Sequence, residues 1–241
     1  AWGDATDGRL GNDSTTLSPS SPIQIPGTNW CQVSSGCQFA SALRTDNTLW
    51  TWGCNTDGQL GQINISHRSS PVQVPGTTWC KVASGEDFVL ALRSDNTLWA
   101  WGNNTVGQLG FSDKVHRSSP TQIPGTTWCD ISAGRCTSFA IKSDNTLWGW
   151  GVNANGQLGV IDVAARSSPV QIPGTTWKCV CTSETVSMAT RTDNTLWVWG
   201  SNVNGQLGLN DRNHRSSPTQ IPGTDWFNFV PSCSTSIFTK R

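Results

Sequence analysis

The chain has 241 residues, with 16 Lys+Arg against 16 Asp+Glu, a formal net charge of zero and only 13% charged residues. That balance argues against a dominant electrostatic attraction to nucleic acid or to an anionic membrane. No apolar run approaches the length of a membrane span. Nine cysteines are more than a reducing compartment usually favours and suggest an extracellular or surface-exposed setting. Their odd number leaves at least one thiol free or paired with another chain.

In chain order the sequence repeats itself. Trp-Gly falls at 2, 52, 101, 150 and 199, and Ser-Pro at 21, 70, 119, 168 and 217, which sets a period of about 49 residues. Pro-Gly-Thr-x-Trp ends at Trp30, Trp79, Trp128, Trp177 and Trp226. A fixed period of this size marks a solenoid, propeller or array. All 14 tryptophans belong to three repeat classes, so a structural core role is expected of each.

Within a unit the pattern has period 2, the mark of strands. A short first strand follows the Trp30 class, at 31–34 and its copies. In the second, Phe88, Leu90 and Leu92 face one way, and Val89 and Ala91 the other. Ser94-Asp95-Asn96-Thr97 reads as a hairpin connection. In the returning strand Trp99 and Trp101 share a face, opposite Leu98 and Ala100. Pro71-Val72-Gln73-Val74-Pro75 makes a fourth strand whose prolines suit a sheet edge.

Four short antiparallel strands per unit is a propeller blade. The expected fold is all-β: one five-bladed β-propeller domain over residues 1–241, its repeats anchored at Trp2, Trp52, Trp101, Trp150 and Trp199. The last copy stops where Asp-Asn-Thr-Leu-Trp should follow, and the first begins just after that point. The N-terminal Trp2 strand is therefore expected to join the C-terminal sheet and close the ring.

Leu-Trp-x-Trp-Gly-x-Asn-x-x-Gly-Gln-Leu-Gly, Ser-Pro-Val-Gln-Val-Pro-Gly, Val-Ala-Ser-Gly and Ala-Leu-Arg-Ser-Asp together resemble the repeats of the regulator of chromosome condensation family of β-propellers. The match covers the whole chain. Gly-Gln-Leu-Gly stands intact four times, and Gly8-Arg9-Leu10-Gly11 is the variant. Founding members have seven blades, and one is an exchange factor for a nuclear GTPase that binds chromatin and uses a projecting insertion. The unbroken spacing here leaves no room for such an insertion. Where the family often has a histidine after the Val-Ala-Ser-Gly glycine, this chain has Cys37, Glu86, Arg135, Glu184 and Cys233.

Those five residues are expected at one mouth of a central channel as ligand candidates. Cys37 and Cys233, on the first and last blades, are a candidate disulfide across the seam. The loop after Trp-Gly offers Asn55, Asn103, Asn104, Asn153, Asn155, Asn202 and Asn204 as turn residues and as loop-binding candidates. The loops at 62–66, 111–115, 160–164 and 209–213 vary most between copies and mark the freer surface. Asn12, Asn64 and Asn103 head glycosylation sequons.

Arg68, Arg117, Arg166 and Arg215 recur, as do Asp46, Asp95, Asp144 and Asp193, and inter-blade ion pairing is expected of them. Cys31, Cys80 and Cys129 are expected as buried packing residues. His67, His116 and His214 occupy one surface-loop class, set apart on successive blades, so a shared metal is not expected. No nucleophile–base pair, phosphate loop or zinc spacing stands out. The sequence therefore predicts no enzyme, no cofactor and no metal. It predicts a non-catalytic protein-interaction, adhesion or structural module of a secreted or surface assembly. Alternatives are a lectin with repeated shallow glycan sites, by architectural analogy alone, and a GTPase exchange regulator. The partner is a protein or a glycan.

Overall fold

A computed structural model describes residues 1–231 and 236–240, with side chains described through residue 226. Four sheets carry four strands each, in chain order. The first comprises β1 (Trp30–Ser35), β2 (Phe39–Arg44), β3 (Leu49–Gly53) and β4 (Arg68–Gln73). Next come β5 (Trp79–Ser84), β6 (Phe88–Arg93), β7 (Leu98–Gly102) and β8 (Arg117–Ile123). The third holds β9 (Trp128–Ala133), β10 (Thr137–Lys142), β11 (Leu147–Gly151) and β12 (Arg166–Ile172). The fourth holds β13 (Trp177–Thr182), β14 (Val186–Arg191), β15 (Leu196–Gly200) and β16 (Arg215–Gln220). A two-stranded sheet of β17 (Trp226–Pro231) and β18 (Ser236–Lys240) follows.

The chain folds as two compact units. One is Ala1–Thr105 with Val115–Thr126, and the other is Val106–Lys114 with Thr127–Arg241. The Gly-Gln-Leu-Gly segment at 107–110 thus groups with the repeat after its own. Each unit also carries one two-segment pairing at a chain end. In the first unit residues 1–3 bond to residues 19–23, through Gly3 N–H to Pro19 O and Ile23 N–H to Ala1 O, as third and fourth strands would. In the second unit β17 and β18 are a first and second strand.

The fourth strand begins three residues before the expected Pro71, at Arg68. Its ladder to β3 skips from Thr51↔Val72 to Gly53↔Arg68, so Pro71 lies in an irregular stretch of an edge strand, where a missing N–H breaks no ladder bond.

The hairpin between the second and third strands is self-contained. Asn96 takes a left-handed conformation (φ 62°), and its N–H bonds to Arg93 O at 3.0 Å. Asp95 Oδ1 accepts the Thr97 hydroxyl at 2.6 Å and the Thr97 N–H at 3.1 Å, and Thr97 Oγ1 in turn accepts the Trp99 Nε1–H at 2.8 Å. The same chain recurs from Asp46, Asp144 and Asp193. These aspartates hold their own hairpins and do not bridge blades, because a carboxylate two residues before a threonine closes a local turn at little entropic cost.

Those bonds, the threonine hydroxyl first, hold the four carboxyls below the ordinary range. A depressed folded-state pKa means the contribution is present at neutral pH. It fades as pH falls through the ordinary carboxylate range near about 4 and is gone below the folded value. Urea midpoints will therefore drop between about pH 6 and about pH 2. Combined Asp95→Asn and Asp144→Asn substitution will flatten that slope, and an unchanged slope would refute this assignment.

Candidate functional site

The second tryptophan of a third strand has a place prepared by the repeat before it. Trp101 is fully buried, and its Nε1–H donates to Gln59 O at 3.0 Å. Its ring lies over Gly61, where an added Cβ would come 2.9 Å from Nε1. Trp79 closes the other side, its ring centroid 5.9 Å away. In the second unit Trp150 and Trp199 sit in the same way on Gln108 O and Gln157 O, both at 2.8 Å. Trp2 is 63% exposed, so the core role expected of it does not hold.

The ring faces are used as well. The Arg93 guanidinium lies 4.5 Å from the Trp79 ring and 4.0 Å from the Trp99 ring. Arg44, Lys142 and Arg191 repeat the clamp. Each contact is worth about 0.5–1 kcal/mol.

Four of the asparagines expected as binding residues are structural. Asn55 is buried: its Oδ1 accepts the Leu60 N–H at 2.9 Å, and its Nδ2 donates to Asn64 O at 2.8 Å and Ser66 O at 3.0 Å. Asn153 and Asn202 make the corresponding bonds, and buried Asn104 donates to Val115 O at 3.1 Å. With their amides inside the loop, these side chains do not face a ligand. Asn103 and Asn155 are half-buried and Asn204 is exposed. Of the sequon asparagines, Asn64 is exposed and Asn12 half-buried.

The recurring arginines do not reach aspartates of the hairpins. Arg166 pairs with Asp162 and Arg215 with Asp211, four residues away in the same loop. Arg68 Nη1 donates to Ser66 O and Arg117 Nη1 to Val115 O. Cys31, Cys80 and Cys129 are exposed, not buried, because the first residue after the tryptophan turns outward at a β-bulge. His67 and His214 accept the Asn55 and Asn202 N–H groups through Nδ1, and His116 Nδ1 lies 3.0 Å from Asp57 Oδ1.

Among the channel-mouth candidates, Cys37 N–H bonds to Glu86 O at 2.9 Å in the first unit, and Arg135 forms an ion pair with Glu184 in the second. Equivalent positions of successive repeats are thus neighbours within each unit. Cys37 is exposed and Cys233 lies outside the described residues.

The variable loops between the third and fourth strands carry several of the exposed apolar side chains. In the first unit Ile63 is 76% and Ile65 64% exposed, and in the second Ile161 is 72% and Val163 60% exposed. Ile63 and Ile161 also have positive φ, 64° and 77°. A β-branched residue there costs roughly 1–2 kcal/mol and is a genuine outlier. The conformation is fixed by the next repeat: Ile63 N–H bonds to Ser118 O, and Ile161 N–H to Ser216 O, both at 2.7 Å. Asp13, Ser112 and Asn210 occupy the same position with φ near 60°, so the backbone does not call for isoleucine. Variation between copies located these loops in the sequence, but nothing in a linear reading signalled the strain.

The RCC1-like domain family model matches residues 1–237, and the chain belongs to that family. The propeller fold follows from that membership. No curated protein matches the sequence. Human WBSCR16 is similar in structure at 21% identity and a TM-score of 0.87, over 100% of this chain and 66% of that one. Prp20p from Saccharomyces cerevisiae, described with its binding to Gsp1p and histones, is similar at 22% identity and a TM-score of 0.78, over 91% and 57%. Yeast RCC1 (Prp20) in its complex with Kap60 gives the same identity and score, over 93% and 57%. The chain therefore spans less than two thirds of the length of these structures.

Proposed function

We propose that this RCC1-like domain is a protein-interaction module in which each unit offers its own aliphatic loop tip to a protein partner, Ile63 and Ile65 in the first and Ile161 and Val163 in the second. The observation that carries this reading is the pair of strained, solvent-facing isoleucines. A strained conformation filled by a side chain that gains nothing from its own fold points to use by something else. Aliphatic tips suit a protein surface better than a glycan, which needs polar or aromatic contacts. Prp20p, a relative in fold, is described as binding Gsp1p and histones, which agrees with a protein partner.

Asparagine, found at the same place as Asn210, separates stability from binding. Combined Ile63→Asn and Ile161→Asn substitution will raise stability by about 1 kcal/mol per site and remove the partner. Quantitative affinity purification of both forms checks the second effect. A partner set recovered equally by the two would overturn the proposal.

A further inference from the structure

In the first unit an acid of one repeat meets a histidine of the next. Asp57 Oδ1 lies 3.0 Å from His116 Nδ1, and one repeat earlier the corresponding residues are Asp7 and His67. Where the later repeat has Asn103, the earlier one has Cys54. The ligand atoms of Asp7, Cys54 and His67 all lie within 4.8 Å of one another. Cys54 is only 4% exposed and has a free thiol, Asp7 is half-buried, and His67 faces solvent.

We propose that Asp7, Cys54 and His67 form a binding site for a borderline-soft divalent cation of the zinc class. Sulfur, nitrogen and oxygen donors together select such an ion over calcium or magnesium, which take oxygen ligands. One thiolate and one carboxylate neutralise a dication, and the thiol proton leaves to solvent on binding. Tetrahedral zinc places its donors about 3.3–3.8 Å apart, so the three atoms close by roughly an ångström, a shift that the exposed His67 ring can supply. His67 Nδ1 accepts the Asn55 N–H at 3.1 Å, and coordination at that nitrogen replaces this bond. Arg9 Nη2 stands 3.7 Å from Asp7 Oδ2 and orients the carboxylate, leaving Oδ1 for the metal. Three protein ligands leave the fourth position to water or to a donor from a partner. The ion would tie the first Gly-x-Leu-Gly loop to the second repeat.

Cobalt(II) titration of the full chain, followed by displacement with zinc, tests this. The expected result is one equivalent of cobalt with a thiolate-to-cobalt charge-transfer band, bleached by zinc, and a zinc-dependent rise in Tm. Cys54→Asn and His67→Ala place at these sites the residues that stand at Asn103 and Ala165 in other repeats, so both variants will fold. Cys54→Asn will abolish the band. His67→Ala will weaken binding by more than about 100-fold, beyond the loss expected for an outer-sphere residue. No band in the unmodified chain, or a band of equal strength in Cys54→Asn, would overturn the proposal.

Discussion

Replacing Gly58 with alanine will destabilise the domain by about 2–5 kcal/mol, from a left-handed backbone and a collision that add. Gly58 has φ +81°, where a Cβ costs about 1–2 kcal/mol. The added atom would also lie 2.5 Å from Ser118 Cα and 2.7 Å from Ser118 Cβ, on β8 of the next repeat. That neighbour is backbone in a hydrogen-bonded strand and cannot rotate away, so the two repeats must separate. A loss of this size is a large part of the 5–15 kcal/mol that usually holds a domain together. Gly205 supplies the control, since it has φ +77° but no described atom within 4 Å of an added Cβ. Gly205→Ala will cost only about 1–2 kcal/mol. Equal losses at the two sites in urea denaturation would mean that conformation alone matters and that the interlock contributes nothing.

Trp101→Ala will prevent stable folding, and Trp101→Phe will separate the reasons. Removing a fully buried indole costs about 3–5 kcal/mol through lost transfer energy and the remaining cavity. It also strips Gln59 O of its donor, for roughly another 1–3 kcal/mol. Phenylalanine keeps most of the apolar volume and loses mainly the hydrogen bond, so that smaller figure is its expected loss. Gly61→Ala crowds the same indole. Combining it with Trp101→Phe will cost less than the two single losses added, because the smaller ring vacates the space the Cβ needs. Strict additivity in the double-mutant cycle would refute the proposed contact between the ring and the loop.

These two experiments address contacts that the linear sequence shows only in part. The Gly-Gln-Leu-Gly glycines read as turn residues, and their positive φ agrees with that. Their second task, admitting the backbone and the indole of the following repeat, depends on residues about 40 to 60 positions away. Asn55, Asn104, Asn153 and Asn202 stand at one fixed register, while the neighbouring asparagines at 103, 155 and 204 belong to two other classes. That invariance was a legible sign of a structural role, but composition alone made all seven look like surface turn residues. The aspartates looked like partners for distant arginines, yet a threonine two residues on is always within reach, and local closure wins.

Repeat length and strand order within a repeat were legible in the chain alone, as were the core places of the tryptophans at 101, 150 and 199. All three follow from period-2 alternation and spaced turn residues, which act over a few neighbouring positions. Only the tertiary structure decided which loop receives which tryptophan, that Ile63 and Ile161 are held strained in solvent, and that Asp7, Cys54 and His67 converge. Each of those depends on one repeat fixing the backbone of another, a constraint that no local pattern of side chains encodes.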